Sequence, residues 1–152
     1  MIPVMQTITG NRGNCLTAAI ASLMERKIED VDYFFEGVPE GDEDTPEGVK
    51  KFSDNFNNFL YKNDYGFIQI EPDNIMETIK GMNGFFIVSG KSPRGYEHAV
   101  IYNFTGMVHD PHPASGGVEP KTILLIYPLF HASQLEYQES LKNIEKRKLT
   151  WL

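Results

Sequence analysis

The chain has 152 residues, a net charge of −7, 41% hydrophobic and 12% aromatic residues, and a single cysteine, Cys15. That length and composition suit one globular domain over 1–152 and exclude a disordered polymer. One thiol excludes an intramolecular disulfide, a multi-cysteine zinc site and an iron–sulfur cluster, and the negative balance argues against nucleic acid as a partner.

The start, Met1-Ile2-Pro3-Val4-Met5-Gln6, carries no basic region leading into an apolar one. No run nears the ~18 apolar residues of a membrane span. A cytoplasmic home without membrane contact is the expectation, and a free thiol persists there. The first predicted element is a buried helix over Cys15–Met24. Leu16, Ala19, Ile20, Leu23 and Met24 recur at helical spacing. The turn-rich Gly10-Asn11-Arg12-Gly13-Asn14 precedes it, with Asn14 as the expected N-cap. Residues 29–47 then hold nine acids and no Lys or Arg. They read either as a solvated loop or as a rim selecting cationic partners.

Thr45 as N-cap and Pro46 in the first turn open a second helix, with Phe52, Phe56, Phe59 and Leu60 as its apolar face. Asn63-Asp64-Tyr65-Gly66 stops it. Beyond Gly66 the period changes. A strand is expected over 67–70, a short helix over 72–80, and a central strand at the continuous apolar run 85–88. Strands over 98–102 and 106–110 read as a hairpin, and a further strand over 123–127 stops at Pro128. The polar stretch 134–148 permits a last helix. Helices first and strands later predict an α+β domain with a mostly antiparallel sheet.

Cys15 opens an apolar helix, where unpaired N–H groups and the dipole favour a thiolate. A buried filler is the plainer alternative. A nucleophilic thiol needs a base, and the base needs an orienting acceptor. Among His98, His109, His112 and His131, His98 begins a predicted strand. Asp110 ends the next one, twelve residues on. Pairing of those strands would make His98 and Asp110 neighbours. Otherwise His98 is a satisfied strand histidine and Asp110, before Pro111, a turn residue. A metal-dependent hydrolase would rest on His109, Asp110 and His112, with His98. Their spacing fits no strong zinc motif, and neighbours on a strand point to opposite faces.

Gln6, Gly13-Asn14-Cys15 opening a helix, Gly95-Tyr96-Glu97-His98-Ala99-Val100 and Val108-His109-Asp110-Pro111 together resemble the papain-like cysteine peptidase superfamily. Within it the chain is most similar to small bacterial and phage proteins related to C39-type peptidases and transglutaminase cores. The resemblance implies a papain-like fold, its N-terminal cysteine-bearing helix packed on the sheet. It also implies Cys15 as nucleophile, His98 as general base and acid, Asp110 as the imidazole's orienter, and Gln6 in the oxyanion hole beside the Cys15 N–H. Asn11 or Asn14 could supply that amide instead.

The segment Gly90-Lys91-Ser92-Pro93-Arg94-Gly95 lacks phosphate-loop spacing and precedes no helix. It reads as an active-site loop. Lys91 and Arg94 stand ready to hold an acidic substrate group, and Asn14 is a third candidate substrate contact. Residues 113–118 are glycine-rich and read equally as a mobile flap beside Asp110 or a plain linker. The resulting expectation is a cysteine hydrolase that acts on a peptide, protein or small amide through a thioester, without cofactor or metal. Acyl transfer and a non-catalytic binding or decoy role are the alternatives.

Overall fold

The structure, a computed structural model, describes residues 1–129; the helix expected over 134–148 lies outside them. Helix α1 spans Cys15–Met24, α2 Pro46–Lys62 and α3 Ile75–Lys80. The strands are β1 Tyr65–Ile70, β2 Phe86–Lys91, β3 Glu97–Asn103, β4 Gly106–His109 and β5 Glu119–Pro128. They form one five-stranded sheet in the order β1-β5-β2-β3-β4, antiparallel throughout. The expected α+β class is the one observed. Among the described residues no helix is long and apolar enough to cross a membrane.

The two faces of β2 explain its continuous apolar run. Ile87 packs with Ala99, Ile101 and Leu124 beneath α1 and α2, while Phe86 and Val88 pack with Val100, Ile123 and Ile79 beneath α3. Alternate side chains thus enter two cores, as a strand covered on both sides requires. Phe85, assigned to this strand from sequence, lies before it and is 49% exposed. The helix expected from residue 72 starts at Ile75, because the Asn74 side chain accepts the Glu77 N–H and fixes the first turn there.

Helix α2 begins as its residues dictate. The Thr45 hydroxyl accepts the Gly48 N–H at 3.1 Å, and Pro46 needs no donor in the first turn. The apolar face of α2 meets the acidic segment as well as the sheet. Phe34 is buried with edge-on contacts to Phe52, Phe56 and Phe59. The acidic stretch is therefore not simply a solvated loop, since Val31, Phe34 and Val38 anchor it in the core.

A bulge interrupts β2–β5 pairing at Ser89 and Gly90. A Cβ at Gly90 would drive into the Glu119 carbonyl, so the close approach of β2 and β5 requires glycine. Gly90→Ala is expected to force the strands apart and lower stability by about 1–3 kcal/mol in urea unfolding. An unchanged midpoint would contradict this packing.

Candidate functional site

The nucleophile candidate is positioned by a loop with no slack. At Gly13 a Cβ would lie 2.9 Å from the Gly10 carbonyl oxygen and 3.1 Å from that of Ile8. The next residue, Asn14, occupies the N-cap position but makes no side-chain capping bond. Its Oδ1 instead accepts the N–H groups of Thr7 (3.0 Å) and Ile8 (2.9 Å), and its Nδ2 donates to Thr7 Oγ1 (2.9 Å). The expected cap is thus replaced by a clamp that lashes the N-terminal segment to the start of α1. Gln6 lies in that segment, buried, its N–H bonded to the Pro111 carbonyl and its Nε2 donating to Ile8 O. Gln6 Oε1 is buried without a hydrogen-bond partner among the described residues.

The second half of the site comes from β3 and the chain after β4. A bulge shifts the β3–β4 register at Ile101 and Tyr102, and β4 ends at His109, one residue short of the expected strand. The juxtaposition drawn from the hairpin still forms. His98 Nε2–H donates to Asp110 Oδ1 at 2.7 Å, with both side chains almost wholly buried. Asp110 also accepts the His112 N–H on Oδ1 (2.9 Å) and the Gly117 N–H on Oδ2 (2.8 Å). With Nε2 committed to the carboxylate, Nδ1 is left as the basic nitrogen of His98.

Residues 113–118 form neither a free flap nor a plain linker. Gly117 bonds Asp110, the Ser115 N–H reaches His112 O, and the Ser115 carbonyl accepts from Arg94 Nη1 at 2.6 Å. They are a strap drawn over the carboxylate. His112, weighed from sequence only as a metal ligand, is a second support. Its ring stands edge-on to His98 with centroids 6.0 Å apart, and its Nδ1 accepts the Ala114 N–H. His109 Nε2 points elsewhere, to the Val4 carbonyl. Among the described residues no group of three or more His, Cys, Asp or Glu converges as a metal site.

Cys15, His98, Gln6 and Asn14 line one cavity of about 410 Å³. Its walls come from α2, the acidic segment and the sheet face. Lys91 and Arg94, offered from sequence as substrate contacts, are not among the lining residues. Lys91 is exposed at the end of β2, and Arg94 turns toward the strap. Sequence reasoning also missed Arg12. Its guanidinium donates to Glu43 Oε1 (2.7 Å) and to the carbonyls of Phe35, Val38 and Pro39, while Tyr33 OH donates to Arg12 O. The loop before Cys15 is thereby tied to the acidic cavity wall. An arginine in the glycine-flanked loop before Cys15, followed by a run of nine acids without Lys or Arg, was the available signal.

The electrostatics depart from the thiolate expected at a helix start. Burial pushes the Cys15 thiol up from its ordinary value, against the backbone amides of Ala99, Leu16 and Cys15 itself. Burial likewise holds His98 below its ordinary 6.5, outweighing Asp110, with Arg94 and His112 adding to the depression. For Asp110 burial acts upward, but the bonds from His98, His112 and Gly117 prevail and hold it low. The resting pair at neutral pH is thus thiol and neutral imidazole beside a carboxylate. No hydrogen bond joins Cys15 to His98.

No family model matches the chain, and no curated protein matches it. Among solved structures it is similar to the peptidase domain of Streptococcus ComA, a bi-functional ABC transporter involved in a quorum-sensing pathway. The TM-score is 0.52 at 15% identity, over 84% of this chain and 99% of that one. The fold is papain-like α+β, with Cys15 on the N-terminal helix.

Both His98 and Asp110 have proton affinities depressed by folding, so the unfolded chain binds more protons in acid and stability falls there. The His98 share is full above pH 6.5 and is lost as pH drops through its lowered folded value. The Asp110 share is lost only below 3.8. Between pH 6.5 and about 5 the thermal midpoint should fall by about 3–8 °C. His98→Gln should flatten that interval; an identical slope in the variant would refute the assignment.

Proposed function

We propose that this protein is a cysteine-dependent hydrolase of peptide or protein amides. The observation that carries the reading is the sharing of one cavity by Cys15 and His98, with the far nitrogen of His98 held 2.7 Å from a buried carboxylate. The likeness of the fold to a peptidase domain supports the substrate class.

In this reading the thiol proton passes to His98 Nδ1 as the sulfur attacks the carbonyl carbon. The neutral resting pair makes this transfer part of the attack rather than a prior equilibrium. Negative charge moves to the carbonyl oxygen, where the Cys15 N–H and the second Nε2–H of Gln6 stabilise it. Collapse expels the amine, which takes the proton from His98 and leaves a thioester on Cys15. Water, deprotonated by His98, then attacks the thioester. The acid leaves, and the proton returns to the sulfur. Asp110 keeps the imidazole in the required tautomer throughout. Asn14, its polar atoms engaged by Thr7 and Ile8, serves by holding the loop that carries Gln6. Arg94 acts at one remove, through its bond to the strap.

Because Cys15 is the only cysteine, iodoacetamide labelling can be followed as one mass adduct. Labelling at pH 7 should be slower than for a free thiol, and His98→Ala should slow it by about tenfold or more. A mixed peptide pool should yield new N-termini with the wild-type protein and none with Cys15→Ala. Labelling indifferent to His98, together with no cleavage, would sink the hydrolase reading.

A further inference from the structure

The strap over Asp110 rests on a guanidinium that the mechanism leaves largely unused. Arg94 sits in the turn joining β2 to β3, half-buried, its Cζ 5.8 Å from the centre of the Tyr96 ring. Its Nη1 donates to the Ser115 carbonyl at 2.6 Å. Its Nε and Nη2 are buried with no hydrogen-bond partner, and no carboxylate among the described residues forms an ion pair with it. A buried N–H without an acceptor works against folding, so two on one side chain call for a reason. These two N–H groups point the same way along one edge of the guanidinium plane. That edge takes two oxygens of a single carboxylate or tetrahedral oxyanion.

Further donors stand beside it. A Cβ at Gly116 would meet Arg94 Nη1 at 3.6 Å, so the strap backbone lies against this side chain. Ser115 and Gly116 are exposed, and neither the Ser115 hydroxyl nor the Gly116 N–H is hydrogen-bonded among the described residues. Ser115 also holds φ at 53°, a left-handed value that side-chain-bearing residues seldom adopt. We infer that Arg94 Nε and Nη2, with these strap donors, form a receptor for a small oxyanion, which enters as the strap gives way at Ser115 and Gly116. Arg94 does not line the cavity that holds Cys15, so this is an effector site and not a substrate subsite.

Its occupation is felt at His98. Burial holds that imidazole low and Asp110 opposes it, while Arg94 and His112 add to the depression. Cys15, Glu43, Asp44 and Glu97 face His98 across the cavity. An anion on Arg94 cancels the Arg94 share and raises the proton affinity of His98. By reciprocity, a proton on His98 strengthens the hold on the anion. The coupling rests on the reading of His98 as the base; the receptor itself does not.

The test uses the full chain, labelled with heavy nitrogen, and adds sulfate or acetate at ionic strength held constant with chloride. The Arg94 Nε–H resonance, assigned by its loss in Arg94→Lys, should shift saturably at millimolar sulfate, as should the Gly116 and Gly117 amides. Saturation by both anions supports a general oxyanion receptor, by sulfate alone a tetrahedral ligand, by acetate alone a carboxylate. Arg94→Lys keeps the charge but removes the fork, so its Gly116 and Gly117 shifts should need about tenfold more sulfate or beyond. As pH falls from 6.5, sulfate should bind several-fold more tightly. His98→Gln should abolish that gain while binding persists. Wild-type shifts that fail to saturate, or equal sulfate affinity in Arg94→Lys, would overturn the receptor; the first result needs no variant. An affinity independent of pH would overturn the coupling. Saturable binding without any peptide cleavage would overturn the hydrolase reading alone.

Discussion

A carboxylate removed from water must have its oxygens satisfied by the protein, and Asp110 meets that demand from three directions. The imidazole of His98 arrives from β3, the His112 N–H from the turn just beyond, and the Gly117 N–H from the strap leading into β5. Each donor commits a separate stretch of chain. The same turn accepts the Gln6 N–H on the Pro111 carbonyl and so fastens the N-terminal segment as well. One buried charge thus sets where four segments lie. A buried carboxylate that lost one of these donors would remain charged and poorly solvated, so the arrangement is cooperative.

Much of this was legible in the sequence where the relevant signal is local. The apolar stripe of α1, the Thr45-Pro46 start of α2 and the two-faced burial of β2 each follow from side-chain spacing over a few residues. The meeting of His98 and Asp110 was legible for a different reason. A hairpin converts a sequence separation into a spatial one, and that conversion tolerated a bulge and a strand one residue shorter than expected. The roles of Asn14, Arg12 and Gly117 were not legible. Asn14 has the right identity for a cap, but its amide finds better partners in an approaching segment. Gly117 contributes a backbone N–H, which every residue except proline possesses and which leaves no mark in the sequence.

The thiolate expected at Cys15 left burial out of account for the same kind of reason. A helix start does favour a thiolate, and the Leu16 and Cys15 amides still pull that way. The opposing desolvation comes from the packing of the rest of the fold around Cys15. A local dipole is visible from local sequence, whereas burial belongs to the fold. At this thiol the second is the larger effect. The acidic segment shows the same division, since its charge suggested a wet loop while Phe34 and Val38 bind it to the core.

The guanidinium of Arg12 spans from the loop preceding Cys15 to the carbonyls of residues 35, 38 and 39, and to Glu43. That bridge divides the molecule into parts with separate duties. The sheet and its strap hold His98 and Asp110 together, while the bridged segment forms part of the cavity wall and reaches the loop that precedes Cys15. Substitutions along 36–44 can therefore widen, narrow or recharge the opening with little disturbance of the buried carboxylate. Such a chain can change the mouth of its cavity without changing how His98 and Asp110 are held.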